Sequence, residues 1–236
     1  MIPSRYLVLN EILKAGDDYI SGQEIAEGLG ISRSAVNKAV SVLRDEGYII
    51  EAVNRKGYQI SSDPDQINYG ELLSYLPSER LKTIAVYETV SSTNVSLHEL
   101  AENGAGTGQT VIADAQTMGR SRGGGSFASP DNKSIYMSYL IVPSGKIDIK
   151  KITPLAADTL AGIITKMSDN KIEVKYPGDL YIDSRKVSGI LSEILMEAES
   201  GYIRYIMLGI GIRPIKGIKR AAVTASLIRE LDNLYL

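Results

Sequence analysis

The chain has 236 residues and contains no cysteine, no tryptophan, one phenylalanine and one histidine. Without cysteine there are no disulfides, no thiolate metal sites and no thioester chemistry. The lone histidine, His98, lies in a stretch of helical spacing at residues 95–100. One histidine so placed argues against a Ser-His-Asp triad. Long apolar runs are lacking too. The longest, residues 205–212, is broken by Gly209 and Gly211 and falls well short of a membrane span. The opening Met1-Ile2-Pro3-Ser4-Arg5 is not a secretory signal, so a cytoplasmic protein without membrane attachment is expected. Neither sign of charge dominates: the net charge is −2. Any contact with nucleic acid must therefore come from a local basic face.

What remains is ordinary globular composition, 44% hydrophobic and 23% charged, enough for two modest domains. Strand and helix patterns are mixed along the chain, which predicts an α+β fold. The polar Ser61-Ser62-Asp63-Pro64-Asp65 reads as a linker, dividing a domain of residues 1–62 from one of residues 63–236.

The first domain reads as a winged helix-turn-helix. Tyr6, Leu9, Ile12 and Leu13 mark one face of a first helix. Ser21 with Glu24 three residues on is a capping box for a second, and Ser32 is a good N-cap for a third. Val36, Ala39, Val40 and Leu43 form the inner face of that third helix. Arg33, Ser34, Asn37 and Lys38 face outward, a donor-rich surface suited to the major groove. Asn37 is expected to read an adenine edge, and Arg33 and Lys38 to grip phosphate or guanine. A hairpin follows whose tip, Asn54-Arg55-Lys56, is the wing. Acidic residues slightly outnumber basic ones here. One copy should then bind DNA weakly and two copies on a palindrome more tightly. A winged helix used for protein contacts is the alternative.

In the second domain the central stretch is Gln116-Thr117-Met118-Gly119-Arg120-Ser121-Arg122-Gly123-Gly124-Gly125-Ser126-Phe127, set between two predicted strands. Glycines let backbone fold over a ligand, and guanidinium forks match carboxylate and phosphate oxygens. A lid over a small anionic ligand is one reading; a solvated surface loop is the other. Upstream stands Ser91-Ser92-Thr93-Asn94. Downstream come Lys175-Tyr176-Pro177-Gly178-Asp179 and Arg185-Lys186-Val187-Ser188-Gly189-Ile190-Leu191.

These four segments, in this order, resemble the biotin protein ligases, most of all the bifunctional kind whose N-terminal winged helix represses the biotin operon. The resemblance runs from about residue 4 to about residue 232. It implies a mixed-sheet catalytic domain of the biotin/lipoyl ligase type. It further implies biotin contacts at Ser92, Thr93, Asn94, Gln116, Gly119, Arg120, Arg122, Lys186 and Gly189. Nucleotide contacts are implied at Arg122, Phe127, Lys175 and Lys186, and a metal ligand at Asp179. Lys186, Arg120 and Arg122 would be catalytic. The implied chemistry joins biotin to ATP as biotinyl-adenylate with Mg²⁺, then passes biotin to a lysine of a carboxyl carrier protein. A ligand-dependent homodimer on operator DNA is implied as well.

The sequence departs from the family pattern at Tyr176, Gly178, Gly123, Gly125, Ser126, Phe127 and Arg213, and the family's small C-terminal domain is expected to be missing. These departures keep open a second reading, a biotin-sensing regulator with weak or lost ligase activity. A lipoyl or octanoyl transferase is a more distant one, which the winged helix and the lack of cysteine argue against.

Overall fold

A computed structural model describes residues 2–120, 125 and 133–236. The chain forms two compact units, Met1–Lys82 and Thr83–Leu236. No helix of the described residues is long and apolar enough to cross a membrane.

In the first unit, helices α1 (Ser4–Ala15), α2 (Gly22–Leu29) and α3 (Arg33–Asp45) precede a hairpin of β1 (Ile49–Val53) and β2 (Gly57–Ser62). The capping box forms as read: Ser21 Oγ accepts from Glu24 N at 3.1 Å, and Ser21 N donates to Glu24 Oε2 at 2.9 Å. Ser32 Oγ caps α3 through Ala35 N. The helical stripe Val36, Ala39, Val40 and Leu43 is buried with Leu9, Ile12, Ile25 and Tyr48.

This unit does not end at the polar linker. A short helix, α4 (Tyr69–Leu73), packs against α1. The fit is close: a Cβ on Gly70 would lie 2.7 Å from Leu9 Cδ2 and 2.9 Å from Tyr6 O. Buried polar groups also link the segment to the helices. Asn68 Nδ2 donates to Tyr48 Oη at 2.8 Å, and Tyr48 Oη donates to Glu71 Oε1 at 3.1 Å. Burial pushes the Tyr48 phenol above its ordinary pKa. The unit boundary thus falls after Lys82, not at the expected residue 62, because the residues beyond Pro64 complete the first core.

The second unit is a seven-stranded sheet in the order β3-β4-β5-β9-β8-β7-β6. Its elements are β3 (Ile84–Val90), α5 (Thr93–Glu102), β4 (Thr110–Gln116), β5 (Ile135–Ile141) and α6 (Ile149–Met167). There follow β6 (Glu173–Lys175), β7 (Asp179–Ile182), β8 (Arg185–Met196), β9 (Ile203–Ile212) and α7 (Arg220–Tyr235). Strands β3 and β4 are parallel, joined through α5; the other pairings are antiparallel. Strand alternation assigns the helices to faces. Leu97 of α5 packs on Val111, Leu140, Tyr205 and Met207. On the opposite face Thr153 of α6 bonds Ser192, and Asp232 of α7 accepts from Tyr139 Oη. Helices lie on both faces of the sheet, and every residue of β5 is buried. The mixed-sheet α+β architecture behind a winged helix is therefore the observed fold.

Candidate functional site

The α5 face of the sheet is not covered along its full length. Beyond the N-terminus of α5 lies an open cleft lined by Ser92, Thr93, Asn94, Gln116, Arg120, Asp179, Lys186, Gly189, Ile190, Leu191, Gly209, Ile210 and Gly211. The position follows from topology. Where two parallel strands are joined by a helix, their carboxyl ends and the helix N-terminus meet at one edge. Here that edge brings together Val90, the turn into α5, and Gln116.

The floor is open because glycines face it. Gly189 pairs with Gly211 and Leu191 with Gly209 across β8 and β9. At Gly209 a Cβ would lie 2.7 Å from Asn94 Oδ1, so a side chain there would displace the start of α5. At one end stand polar groups of α5 and β4. Thr93 N donates to Gln116 Oε1 at 2.8 Å, with Thr93 Oγ1 3.1 Å from the same oxygen. Ser92 occupies the N-cap position of α5, yet its side chain makes no capping bond. The ordinary reason for a serine at a helix start therefore does not account for it.

At the other end are charges. Lys186 Nζ lies 2.9 Å from Asp179 Oδ2. With Arg120, the described lining has two cations against one carboxylate, a balance that favours an anionic ligand. Lys186 arrives by an irregularity in the sheet. From Gly189, strict alternation along β8 would send residue 186 to the α6 face. Pairing of β7 with β8 shifts between Leu180↔Ser188 and Tyr181↔Lys186, leaving Val187 as an extra residue. That bulge turns Lys186 to the face of Asp179 and the glycines, the re-aiming for which bulges are known.

Gly178, where the resemblance leads one to expect asparagine, is tightly enclosed. A Cβ there would lie 2.6 Å from Thr153 Cγ2 and 2.9 Å from Ile190 O.

Of the residues singled out from sequence, Ser92, Thr93, Asn94, Gln116, Arg120, Asp179, Lys186 and Gly189 meet in this cleft. Gly119 is buried but does not line it. Lys175 lies at the sheet edge, 3.7 Å from Glu173 and 4.3 Å above the Tyr181 ring, outside the lining. Arg122 and Phe127 lie outside the described residues. Sequence reading missed Leu191, Ile210, Ser138 and Glu193. The last two carried a signal, a polar side chain within a strand of otherwise core character. No group of three or more potential metal-ligating His, Cys, Asp or Glu side chains occurs among the described residues.

The first unit carries a separate concave surface, framed by Ser21–Gln23 in sequence, by Arg33 and Asn37 of α3, and by Ala52, Val53, Asn54, Arg55, Gly57 and Tyr58 of the hairpin. Arg33, Ser34, Asn37, Lys38, Arg55 and Lys56 are all exposed. Tyr58 Oη donates to Asn37 Oδ1 at 2.5 Å, a partner the sequence did not reveal. Bidentate pairing with adenine uses both ends of an asparagine amide and so competes with this bond.

Comparison with known proteins agrees with both units. A sequence model described as an HTH domain matches residues 5–59, and that of the biotin/lipoate A/B protein ligase family matches residues 86–212. The bifunctional ligase/repressor BirA of Bacillus subtilis (strain 168) is 38% identical over 203 residues, and that of Escherichia coli (strain K12) is 31% identical over 201. The matches cover 84% and 85% of this chain and 61% of each relative, so the chain spans about three fifths of their length. Among solved structures, the biotin protein ligase of Aquifex aeolicus in complex with biotin and ATP superposes with a TM-score of 0.53 at 22% identity. The overlap covers 64% of this chain and 68% of that one. The Leishmania major biotin protein ligase in complex with biotinyl-5-AMP gives 0.51 at 18% identity, covering 64% and 74%. At such identities the likeness is one of fold.

Proposed function

Since the chain belongs to the biotin/lipoate A/B protein ligase family, we propose that its cleft binds biotin and ATP and forms biotinyl-5′-AMP. Biotin would then pass to a lysine of a biotin carboxyl carrier protein in the cytoplasm. The observation that carries this reading is the polarity of the cleft. Ser92, Thr93 and Gln116, on α5 and β4, stand at one end, Lys186 on β8 stands at the other, and glycines lie between, with Arg120 also in the lining. A bicyclic urea with an acidic tail matches that order. The biotin carboxylate attacks the α-phosphorus, the bond to the bridging oxygen breaks, and pyrophosphate leaves. No enzyme nucleophile is needed, so catalysis rests on charge held beside the reacting oxygens. Lys186 would leave Asp179 to neutralise the carboxylate and the α-phosphate, with Arg120 and Arg122 closing over the adenylate. That mixed anhydride would also have to be shielded from water. A single carboxylate in the described lining fits Mg²⁺ brought in on the nucleotide phosphates, with Asp179 as one ligand, better than a resident metal.

The first unit is proposed to bind operator DNA as a ligand-dependent homodimer, repressing biotin genes. Its exposed Arg33, Lys38, Arg55 and Lys56 and the HTH match support this. With Oδ1 turned to Tyr58, Asn37 would offer Nδ2 to a purine acceptor. Lys38→Ala and Arg55→Ala should each weaken binding to an inverted-repeat operator and reduce the salt slope by about one. Unchanged binding and slope would place the DNA on another face.

A second reading, a biotin sensor without ligation, is favoured by the lack of space at Gly178. Exchange of labelled pyrophosphate into ATP separates the two. Biotin-dependent exchange is the expected result, and biotin binding without exchange would establish the sensor.

A further inference from the structure

Behind the cleft wall, outside its lining, lie two polar side chains that the proposed chemistry does not use. Ser138, in the middle of β5, is wholly buried. Its Oγ is 2.8 Å from Thr93 Oγ1 and within hydrogen-bond reach of Asn94 Oδ1. Glu193, on β8, accepts from Asn94 Nδ2. The row of contacts therefore runs from Glu193 through Asn94, Ser138 and Thr93 to Gln116, joining residues of β8, β5 and β4 through the start of α5.

We propose that Glu193 and Ser138 are positioning residues that fix the hydrogen-bond polarity of Thr93, so that its hydroxyl meets the ligand as an acceptor of N–H. The argument is a count of protons. A carboxylate accepts, so Glu193 holds Asn94 with Nδ2 toward itself and Oδ1 toward Ser138. An amide oxygen has no proton, so the bond between Asn94 and Ser138 uses the Ser138 proton. The Ser138–Thr93 contact is then filled by the proton of Thr93. If Thr93 instead turns its proton to Gln116 Oε1, that proton still points into the wall. In either arrangement the cleft meets oxygen lone pairs. A serine or threonine hydroxyl ordinarily donates or accepts as its neighbours require; this row removes the choice. The consequence is selectivity for a ligand with N–H at that point, such as a cyclic urea, over one presenting oxygen. The inference rests on the reading that biotin occupies the cleft.

The test compares biotin with its two cyclic carbamate analogues, in which one or the other ureido N–H is replaced by oxygen. Each is titrated calorimetrically into the full chain, into Glu193→Gln and into Ser138→Ala. The wild-type chain should prefer biotin by about tenfold or more over at least one carbamate, since an acceptor would face an acceptor. Both variants should narrow that preference, Glu193→Gln the more. A glutamine amide can donate to Asn94 and let the row reverse, whereas removal of the Ser138 hydroxyl leaves the Thr93 proton to divide between Gln116 Oε1 and the ligand. A purely structural role would weaken biotin and carbamate alike and leave the ratio unmoved, which would overturn the proposal. Thermal unfolding of each variant monitors the fold. Should Ser138→Ala not fold, the nearly isosteric Glu193→Gln still reads the ratio. Failure of the wild-type chain to bind biotin would overturn the biotin reading and this proposal with it. That outcome is distinguishable because it appears before any variant is compared.

Discussion

Lys186→Ala is expected to slow biotin-dependent exchange of pyrophosphate into ATP by about 10²–10³-fold, the range seen when one preorganised charge-stabilising group is removed. The variant should remain folded. The Lys186–Asp179 pair is partly exposed, with side chains 36% and 21% accessible, and such pairs contribute about 0–1 kcal/mol. Lost exchange would then report chemistry and not unfolding. Biotin affinity should fall less than the exchange rate, because the proposed ureido contacts at Thr93 and Gln116 are untouched. Exchange that persists at the wild-type rate would remove Lys186 from the reaction. The bulge at Val187 suggests a companion experiment. Deleting Val187 restores strict alternation, turns residue 186 toward α6, and should abolish exchange with the lysine still in the chain.

A second large effect is expected at the opposite face of the sheet. Arg220, at the start of α7, is buried and bonds Asp114 Oδ1 at 3.0 Å and the carbonyl oxygen of Ser134 at 3.1 Å. Asp114 lies two residues before Gln116, and Ser134 directly precedes β5. The guanidinium thus ties together the two strand ends from which the arginine-bearing segment departs. Removing one member of a buried pair strands the other charge, at a cost of about 3–5 kcal/mol. Asp114 keeps 26% of its side chain accessible, which places Arg220→Met at the lower end of that range.

The deficit should depend on pH. Burial raises the Asp114 pKa above its ordinary value, while the Arg220 charge and hydrogen bond hold it down. Without Arg220 only the upward influences remain. An acid whose folded pKa exceeds its unfolded one binds more protons when folded, so stability falls as pH rises between the two values. Arg220→Met should be most destabilised above that window and recover as pH falls toward the ordinary carboxylate range. Urea midpoints at pH 7.5 and pH 5 measure this, against an Asp114→Asn/Arg220→Met control that should be nearly pH-independent. A deficit equal at both pH values would mean that Asp114 is not the stranded group.

Much of this was legible in the sequence because it is local. The capping box at Ser21 and Glu24 and the buried spacing of α3 concern residues a few positions apart, and each forms as read. The cleft residues drawn from Ser92, Gln116, Asp179 and Lys186 also meet, because their segments fall at strand ends that the topology joins. What could not be read depends on pairings across the chain. Tyr48, in the connection between α3 and β1, binds Asn68 and Glu71, and the compact unit runs on to Lys82 rather than ending at residue 62. Tyr58 reaches back to Asn37. Period-two reasoning gives no sign of the bulge that aims Lys186. Gly178 reads as a departure from the family pattern, and only its packing against Thr153 and Ile190 gives a physical reason for it.

The central claim is that the cleft at the start of α5 is the biotin site, and a crystal structure of the chain grown with biotin tests it most directly. The predicted density has the ureido ring against Thr93 and Gln116 and the carboxylate beside Lys186, now withdrawn from Asp179. Biotin bound at any other surface, with the Lys186–Asp179 pair intact and the cleft filled only by water, would contradict it.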